Sequence, residues 1–294
     1  MAIKIERTVI GDAEVIQLIE LEIGHCFGWL IPENTPETIR EIEWLNEPYR
    51  TEDYQLKAIS QSFIIKRAGR ILVVDSCIGD NKIVNEFPEW SHMRTDFLEK
   101  LEEAGISRDN VTDVLCTHLH FDHVGWNTYL KDGKWLPTFP CARYHFAKAE
   151  YDDCQAFINK NPEDTKAFFF KNSIMPVIEA GLENFIEPPT DLGDGFTVFP
   201  TPGHTRSHVA IRIDAGTESF IIAGDAMHHP CQIARPHWAT IVDYDKAQSS
   251  STRRELLADL DGQQTLFTCT HFSVPSFGRI TKDKHDGFIF HPRS

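Results

Sequence analysis

The chain has 294 residues, of which 41% are hydrophobic and 25% are charged, so it can bury one large core or two small ones. Its formal net charge of −15 repels phosphate backbones on average, which disfavours a nucleic-acid partner. We find no leader pattern and no run of about 18 apolar residues, so we expect no membrane partner and a cytoplasmic location. Seven cysteines without a C-x-x-C pair favour reduced thiols.

The first half of the chain alternates predicted strands and helices after an irregular start. Residues 1–60 mix aromatic, proline and acidic residues without clean periodicity, and we interpret them as an arm or lid. Residues 61–75 predict a β-hairpin, because two apolar runs flank Ala-Gly-Arg. Residues 95–104 have apolar side chains at helical spacing and precede Gly105, which is typical of a helix end. A further strand is predicted from Val111.

The second half continues the alternation, with one interruption. Residues 148–181 are mostly helical in pattern and aromatic, and we interpret them as a helical insertion rather than a separate domain. Strands are then predicted in FTVFP, HVAIRID, SFIIAGD and TLFTCTH, with a helix in STRRELLADL. This alternation favours an α/β fold with sheets between helical layers, formed by residues 1–294 as one domain. Six histidines outside the motifs described below are interpreted as surface or core residues: His25, His92, His145, His237, His285 and His291.

Four candidate metal ligands lie within six residues directly after the strand that starts at Val111. They are His118, His120, Asp122 and His123. Zinc prefers imidazole nitrogen and carboxylate oxygen, and a catalytic ion keeps one position open for water. We therefore interpret this cluster as part of a metal site, although histidine clusters also arise by chance in a chain with fourteen of them.

Further ligands are expected from other strand ends. His204 in PTPGHT, Asp225 in IIAGDAMHH and His271 in FTCTHF each lie next to an apolar strand run. Asp75, at the end of the predicted hairpin, is a candidate acceptor for a ligand histidine, because metal-bound imidazoles usually donate their other nitrogen to a carboxylate or carbonyl. An ordinary turn aspartate is the alternative for Asp75.

The motif THLHFDHVG, followed by PGHT, AGD and CTH, resembles the metallo-β-lactamase superfamily over about residues 60–280. The resemblance implies a four-layer αβ/βα sandwich with two metal ions, each with three ligands of its own and one shared aspartate. The first metal would be held by His118, His120 and His204, the second by Asp122, His123 and His271, and Asp225 would bridge them. Zinc is expected, with manganese, cobalt or iron as alternatives.

Single positions at which branches of the superfamily differ indicate which branches this chain resembles most. Flavodiiron oxygen reductases carry Glu at the position of His120, and true β-lactamases generally lack an aspartate at the position of Asp225. Persulfide dioxygenases keep the histidine motif but use one iron, so the motif alone does not exclude that activity. The chain is most similar to N-acyl-homoserine lactonase-like members. Those often have Tyr three residues after the bridging aspartate, where this chain has His228.

The resemblance implies a dinuclear hydrolase that opens a lactone or cleaves an ester through a metal-bridging hydroxide. Asp122 would pass the proton, and His228 would donate a hydrogen bond to the oxyanion, with a simple polar loop residue as the alternative for His228. The expected partner is an apolar small-molecule lactone or ester, and an exposed apolar N-terminal arm would favour a homodimer. Phosphotriester or thioester hydrolysis, a mononuclear iron oxidoreductase and a non-catalytic metal-binding protein are the alternatives.

Overall fold

The structure is a computed structural model that describes residues 2–284 and 287–293. The chain divides into two compact units, and each is described separately. Unit 1 comprises Met1–Leu21 and Ser60–Glu187, and unit 2 comprises Glu22–Ile59 and Pro188–Ser294. His285 lies outside the described residues. No helix in the described ranges is long and apolar enough to cross a membrane.

The described residues form strands and α-helices in alternation. The strands are β1 (Lys4–Ile10), β2 (Ala13–Glu22), β3 (Ile59–Arg67), β4 (Arg70–Val74), β5 (Asp113–Leu115), β6 (Thr128–Lys131), β7 (Lys134–Pro137), β8 (Arg143–Ala147), β9 (Glu183–Ile186), β10 (Thr190–Asp191), β11 (Phe196–Pro200), β12 (Val209–Ala215), β13 (Glu218–Ile222), β14 (Leu266–Thr268), β15 (Gly278–Lys282) and β16 (Phe288–Pro292). The helices are α1 (Phe27–Leu30), α2 (Pro36–Arg40), α3 (Phe97–Glu103), α4 (Phe121–Val124), α5 (Lys148–Lys160), α6 (Thr165–Phe169), α7 (Met175–Glu179), α8 (Cys231–Ala234) and α9 (Lys246–Leu260).

Unit 1 contains a seven-stranded sheet in the spatial order β1-β2-β3-β4-β5-β8-β9, and β6 and β7 form a separate hairpin. Strands β4, β5, β8 and β9 run parallel to one another, whereas β1 pairs with β2 and β3 pairs with β4 in antiparallel fashion. The central strands β4 and β5 are rich in buried Val and Leu, as expected for parallel strands covered on both faces. Their carboxyl ends therefore lie at the same edge of the sheet.

Unit 2 contains the second seven-stranded sheet, with its strands in the order β10 to β16. Only β13 and β14 pair in parallel among its described strands, and the other pairs are antiparallel. Since β11 and β13 are both antiparallel to β12, the ends of β11, β13 and β14 also share one edge. Asp245 is the N-cap of helix α9, and its carboxylate accepts from the backbone N–H groups of Ala247 and Gln248 at 3.0 Å.

The elements predicted from periodicity are confirmed. The hairpin at residues 61–75 is β3–β4, the helix ending before Gly105 is α3, and the strand after Val111 is β5. The later strands and the helix near Ser251 correspond to β11 to β14 and α9. The predicted insertion at residues 148–181 is mostly helical and contains α5, α6 and α7, with a π-helical turn at Phe170–Ile174. Within residues 1–60, β1 and β2 form a hairpin that extends the first sheet, while residues 22–59 belong to unit 2.

A close backbone contact fixes the turn that follows the histidine motif in unit 1. Gly125 lies against the loop after β4, and a Cβ atom at this position would be 1.8 Å from the carbonyl oxygen of Ile78. The Gly125 N–H donates to the carbonyl of Cys77 at 2.8 Å. Only a residue without a side chain allows the two loops to approach this closely.

We expect Gly125→Ala to lower the free energy of unfolding by about 3 kcal/mol or more, because the backbone of the loop after β4 has to move. Chemical denaturation measures this loss. The matched control is Gly28→Ala, where the added methyl group meets no atom within 4 Å. Equal stability of the two variants would contradict the steric role of Gly125.

Glu20 connects β2 to the same two loops. Its buried carboxylate accepts from the backbone N–H of Ile78 at 2.8 Å, from that of Gly79 at 3.1 Å, and from the indole N–H of Trp126 at 2.9 Å. Burial raises the pKa of Glu20 from 4.5 to about 7, although these hydrogen bonds counteract part of the rise. The fold therefore favours the protonated carboxyl over the ionised one.

We expect Glu20 to make stability depend on pH in a defined direction. Because the folded pKa is raised, the stabilising contribution is complete below about pH 4.5 and is lost as the pH rises to about 7. The loss amounts to about 3 kcal/mol at about 1.4 kcal/mol per pKa unit. Urea denaturation across this range should show a decline in the wild-type protein that Glu20→Gln lacks, and parallel profiles would contradict it.

Candidate metal centre

In unit 2, three loops at one sheet edge carry the predicted ligands. His204 follows β11, Asp225 follows β13 and His271 follows β14, so the shared edge of these strands places all three side chains together. Each is at most 3% exposed. His228, three residues after Asp225, is also buried in this group. The structure therefore brings the predicted residues of unit 2 together at these strand ends.

Three imidazole nitrogens surround the Asp225 carboxylate. The Nε2 atoms of His204 and His228 lie 3.4 Å and 3.2 Å from its Oδ2, and the Nε2 of His271 lies 3.2 Å from its Oδ1. The rings of His228 and His271 are stacked, with their centroids 5.7 Å apart. Asp225 is held from behind, because its backbone N–H donates to His208 Nε2 at 3.0 Å.

The second nitrogen of two of these rings fixes the position of the proton. His204 Nδ1 lies 3.1 Å from Asp243 Oδ1, and His271 Nδ1 lies 2.9 Å from the carbonyl oxygen of Ile59. Ionised carboxylates and carbonyls only accept hydrogen bonds, so both rings carry their proton on Nδ1. When such a ring carries no second proton, its Nε2 lone pair faces an oxygen of Asp225.

Lone pairs that face a carboxylate in a buried site need a cation between them. Ligand atoms about 2.0–2.2 Å from one tetrahedral ion are separated by about 3.3–3.6 Å, close to the distances from His204 and His271 to Asp225. Imidazole nitrogen and carboxylate oxygen are also the ligand types that zinc prefers. The donor set of unit 2 therefore fits a divalent metal ion.

In unit 1, the histidine motif begins in the turn after β5 and continues into α4. His120 is the residue before the first turn of α4, and Asp122 and His123 lie within the helix. The His118 ring packs against those of His120 and His123, with centroids 4.4 Å and 4.2 Å away. His123 Nε2 lies 3.8 Å from Asp122 Oδ1. The four predicted ligands of unit 1 are thus brought together.

Asp75 orients two of these histidines. Its Oδ2 lies 2.8 Å from His123 Nδ1, so the predicted hydrogen bond between Asp75 and a histidine of the motif is confirmed. The hydroxyl of Thr117 donates to Asp75 at 2.9 Å and accepts from His118 Nδ1 at 3.1 Å. Both rings therefore carry their proton on Nδ1, so Nε2 is the atom through which each could bind a metal ion. Asp75 adopts a φ of +52°, in a region that Asp tolerates better than most residues.

His228 differs from its neighbours in its second nitrogen. Its Nδ1 is buried and has no hydrogen-bond partner among the described residues. Burial lowers the pKa of His228, although the charge of Asp225 and the hydrogen bond with it counteract this. A buried neutral imidazole with an unused nitrogen can contact a bound molecule or a metal ion.

Two residues that contact the predicted ligands could not be recognised from the sequence. His208 and Asp243 contact the predicted ligands Asp225 and His204, yet neither stands in a recognisable motif. Burial alone would raise the pKa of Asp243, but the hydrogen bond from His204 and nearby positive charge lower it below its usual range. Asp243 is buried, whereas Ile241 and Tyr244 in the same loop are 47% and 59% exposed.

Known proteins similar to this chain include metallo-hydrolases. A probable metallo-hydrolase of Mycobacterium tuberculosis is 26% identical over 141 residues, which cover 44% of this chain and 41% of that protein. Metallo-beta-lactamase domain-containing protein 1 of Xenopus laevis is 27% identical over 145 residues, covering 49% of this chain and 48% of that protein. The chain thus spans less than half the length of these curated relatives.

Two solved structures are similar over nearly the whole chain. The hydrolase AbOPH of the beta lactamase superfamily has a TM-score of 0.78 at 22% identity, covering 99% of this chain and 97% of that one. AidC, a dizinc quorum-quenching lactonase, has a TM-score of 0.78 at 20% identity, covering 99% of this chain and 98% of that one. The two TM-scores show a shared fold and confirm the predicted fold class.

The family model of the metallo-beta-lactamase superfamily matches residues 58–262, which is more than two thirds of the chain. The match contains the histidine motif, His204 and Asp225, whereas His271 lies beyond its end. Members of this superfamily typically bind divalent metal ions, in keeping with the donor sets of both units. The chain therefore belongs to the metallo-beta-lactamase superfamily.

Proposed function

We propose that this protein is a dinuclear, zinc-dependent hydrolase that opens lactones or cleaves esters. The observation that carries this proposal is the arrangement around Asp225, where the Nε2 atoms of His204 and His271 lie 3.4 Å and 3.2 Å from one buried carboxylate. The proposed ligands of the first ion are His118, His120 and His204, those of the second are Asp122, His123 and His271, and Asp225 is shared.

The similar proteins support this reading in part. The curated relatives named above include a probable metallo-hydrolase, and AidC is described as a dizinc lactonase. At 20% identity, AidC supports the fold and leaves the reaction of this chain as a proposal. The hydrogen bonds to Nδ1 of His118, His123, His204 and His271 add independent support, because they leave Nε2 of each ring as the ligand atom.

Two zinc ions, when bound, would polarise a carbonyl group and lower the pKa of water to roughly 7. The side chains of the protein then have three tasks. Asp75, Asp243 and the Ile59 carbonyl hold the ligand rings in one orientation. The carboxylate of Asp122 accepts a proton from the attacking water and passes it to the leaving group. The imidazole of His228 donates a hydrogen bond to the oxyanion that develops on the substrate carbonyl.

Metal content and substrate range test the proposal directly. We expect about two zinc ions per chain by elemental analysis, together with zinc-dependent hydrolysis of lactones or esters. A panel of lactones, esters, phosphotriesters and β-lactams, assayed with zinc, manganese, cobalt and iron, identifies the electrophile and the preferred metal. One iron per chain with oxygen consumption on a persulfide would overturn the hydrolase proposal.

Asp122→Asn tests the proton-transfer role. The amide keeps the shape of the carboxylate but is a poor base and a weak ligand, so we expect kcat to fall by at least 100-fold. Circular dichroism should show an intact fold. Asp109→Asn makes the same chemical change at an exposed position of unit 1 and should leave kcat unchanged. Full activity of the Asp122 variant would refute both its proton transfer and its metal binding.

His228→Phe separates oxyanion stabilisation from metal binding. Loss of one well-placed donor costs about 3 kcal/mol in the transition state, so we expect kcat to fall by 100- to 1,000-fold. The variant should keep two zinc ions per chain. His237→Phe, at an exposed position, is the control for the change in side-chain type. If zinc content falls together with kcat, His228 is a metal ligand and not an oxyanion donor.

A further inference from the structure

A buried arginine lies behind the loops of unit 2 that carry Asp225 and His204. Arg253 projects from α9 and is fully buried. Its guanidinium donates to the carbonyl of Pro236 at 2.9 Å and to the hydroxyl of Ser249 at 2.6 Å. It also lies 3.4 Å from the carbonyl of Ala226, the residue directly after Asp225. Arg253 therefore contacts the backbone of the Asp225 loop.

The same guanidinium lies beside Asp243. Arg253 Nη1 is 3.5 Å from Asp243 Oδ2, which also accepts from the backbone N–H of Thr240 at 3.1 Å. The other oxygen, Oδ1, faces His204 Nδ1 at 3.1 Å. Two donors thus lie at Oδ2 and one at Oδ1. The direction of this network is fixed, because the arginine and the backbone amide can only donate.

Burying the charges of Arg253 and Asp243 costs free energy, which favours a role of this pair other than stability. A buried ion pair is often no more stabilising than apolar residues of the same volume, because both charges lose their hydration. Arg253 and Asp243 are both almost inaccessible to solvent. The contacts of the pair lead to His204 on one side and to the residue after Asp225 on the other. Both end points are proposed metal ligands or their neighbours.

We propose that Asp243 and Arg253 are positioning residues for the metal centre. Asp243 holds His204 in the tautomer that carries its proton on Nδ1, so Nε2 is available as a ligand. Arg253 fixes the orientation of the Asp243 carboxylate and ties the loop after Asp225 to α9. The effect on metal binding rests on the proposed function, whereas the effect on the His204 tautomer concerns the metal-free protein.

Asp243→Asn makes a directional test possible. The amide oxygen should occupy the Oδ2 position, where Arg253 and Thr240 both donate. The amide NH2 group then faces His204 Nδ1, which becomes an acceptor, and the proton of the ring moves to Nε2. In that tautomer Nε2 has no lone pair for a metal ion, so binding requires a proton to be displaced or a side chain to turn.

The first measurement is the ring nitrogen spectrum of His204 in metal-free, 15N-labelled protein. We expect the Nδ1–H tautomer in the wild-type protein and the Nε2–H tautomer in Asp243→Asn. The Nε2–H tautomer in the wild-type protein would overturn the proposal without any variant. The same tautomer in both proteins would overturn the role of Asp243.

The second measurement is zinc affinity by competition with a chelator. We expect Asp243→Asn and Arg253→Met to bind zinc 10- to 100-fold more weakly, the usual effect of losing a group that orients a ligand. Arg253→Lys keeps one positive charge without the forked donor geometry and should show an intermediate loss. Wild-type affinity in all three variants would overturn the proposal.

Unit 1 offers a matched control with the same three side-chain types. Asp113 lies 2.7 Å from Arg70 Nη2 and 2.8 Å from His145 Nε2, and none of these residues is a proposed ligand. Asp113→Asn should lower thermal stability and leave zinc affinity within about twofold of the wild type. An equal loss of affinity in the Asp113 variant would mean that Asp243 acts only through stability, which overturns the proposal. If the wild-type protein binds no zinc, the proposed function fails, and the His204 spectrum still decides the tautomer.

Discussion

The electrostatics of one buried carboxylate constrain the loops of unit 2. Asp225 is surrounded by imidazole nitrogens whose protons, in His204 and His271, are fixed on the far side of each ring. Such an arrangement is unfavourable in a low-dielectric interior without a positive charge at its centre. The hydrogen bonds to His204 and His271 are therefore consistent with a cation site, because they hold the two rings in an orientation that is unfavourable without a cation.

Both units orient their histidines from behind, and they do so with different chemical groups. Unit 1 uses a carboxylate directly and through a hydroxyl, whereas unit 2 uses a carboxylate for His204 and a backbone carbonyl for His271. All of these groups accept a hydrogen bond from Nδ1, so Nε2 is the nitrogen that each ring can offer to a metal ion. The common outcome comes from the chemistry of imidazole and not from one repeated sequence motif.

The parts of the site that were predictable from the sequence are those that depend on local pattern. Apolar runs located β5, β13 and β14, and the histidines and aspartates directly after them stood out because polar ligands rarely cluster at strand ends without a purpose. Asp75 was a candidate for the same reason. The expected cytoplasmic location and homodimer stay predictions.

Residues that act through long-range contacts were not predictable. Asp243 is 39 positions from His204, and Glu20 is 106 positions from Trp126, so no short window of sequence contains either pair. Arg253 occupies an ordinary helical position, and arginines on helices are usually exposed. Residues 4–22 lacked clean alternation because β2 is buried at nearly every position, which hides the period-two pattern of a half-exposed strand.

The loop around Asp243 contains both a buried residue whose side chain contacts the site and residues whose side chains are exposed. Asp243 is buried and contacts His204, whereas Ile241, Val242 and Tyr244 beside it are exposed. Mutations at the exposed positions alter the apolar surface of the loop and leave the buried hydrogen bond in place. Such a loop can acquire new surface chemistry through single substitutions at its exposed positions, while the hydrogen bond that orients His204 comes from the buried Asp243.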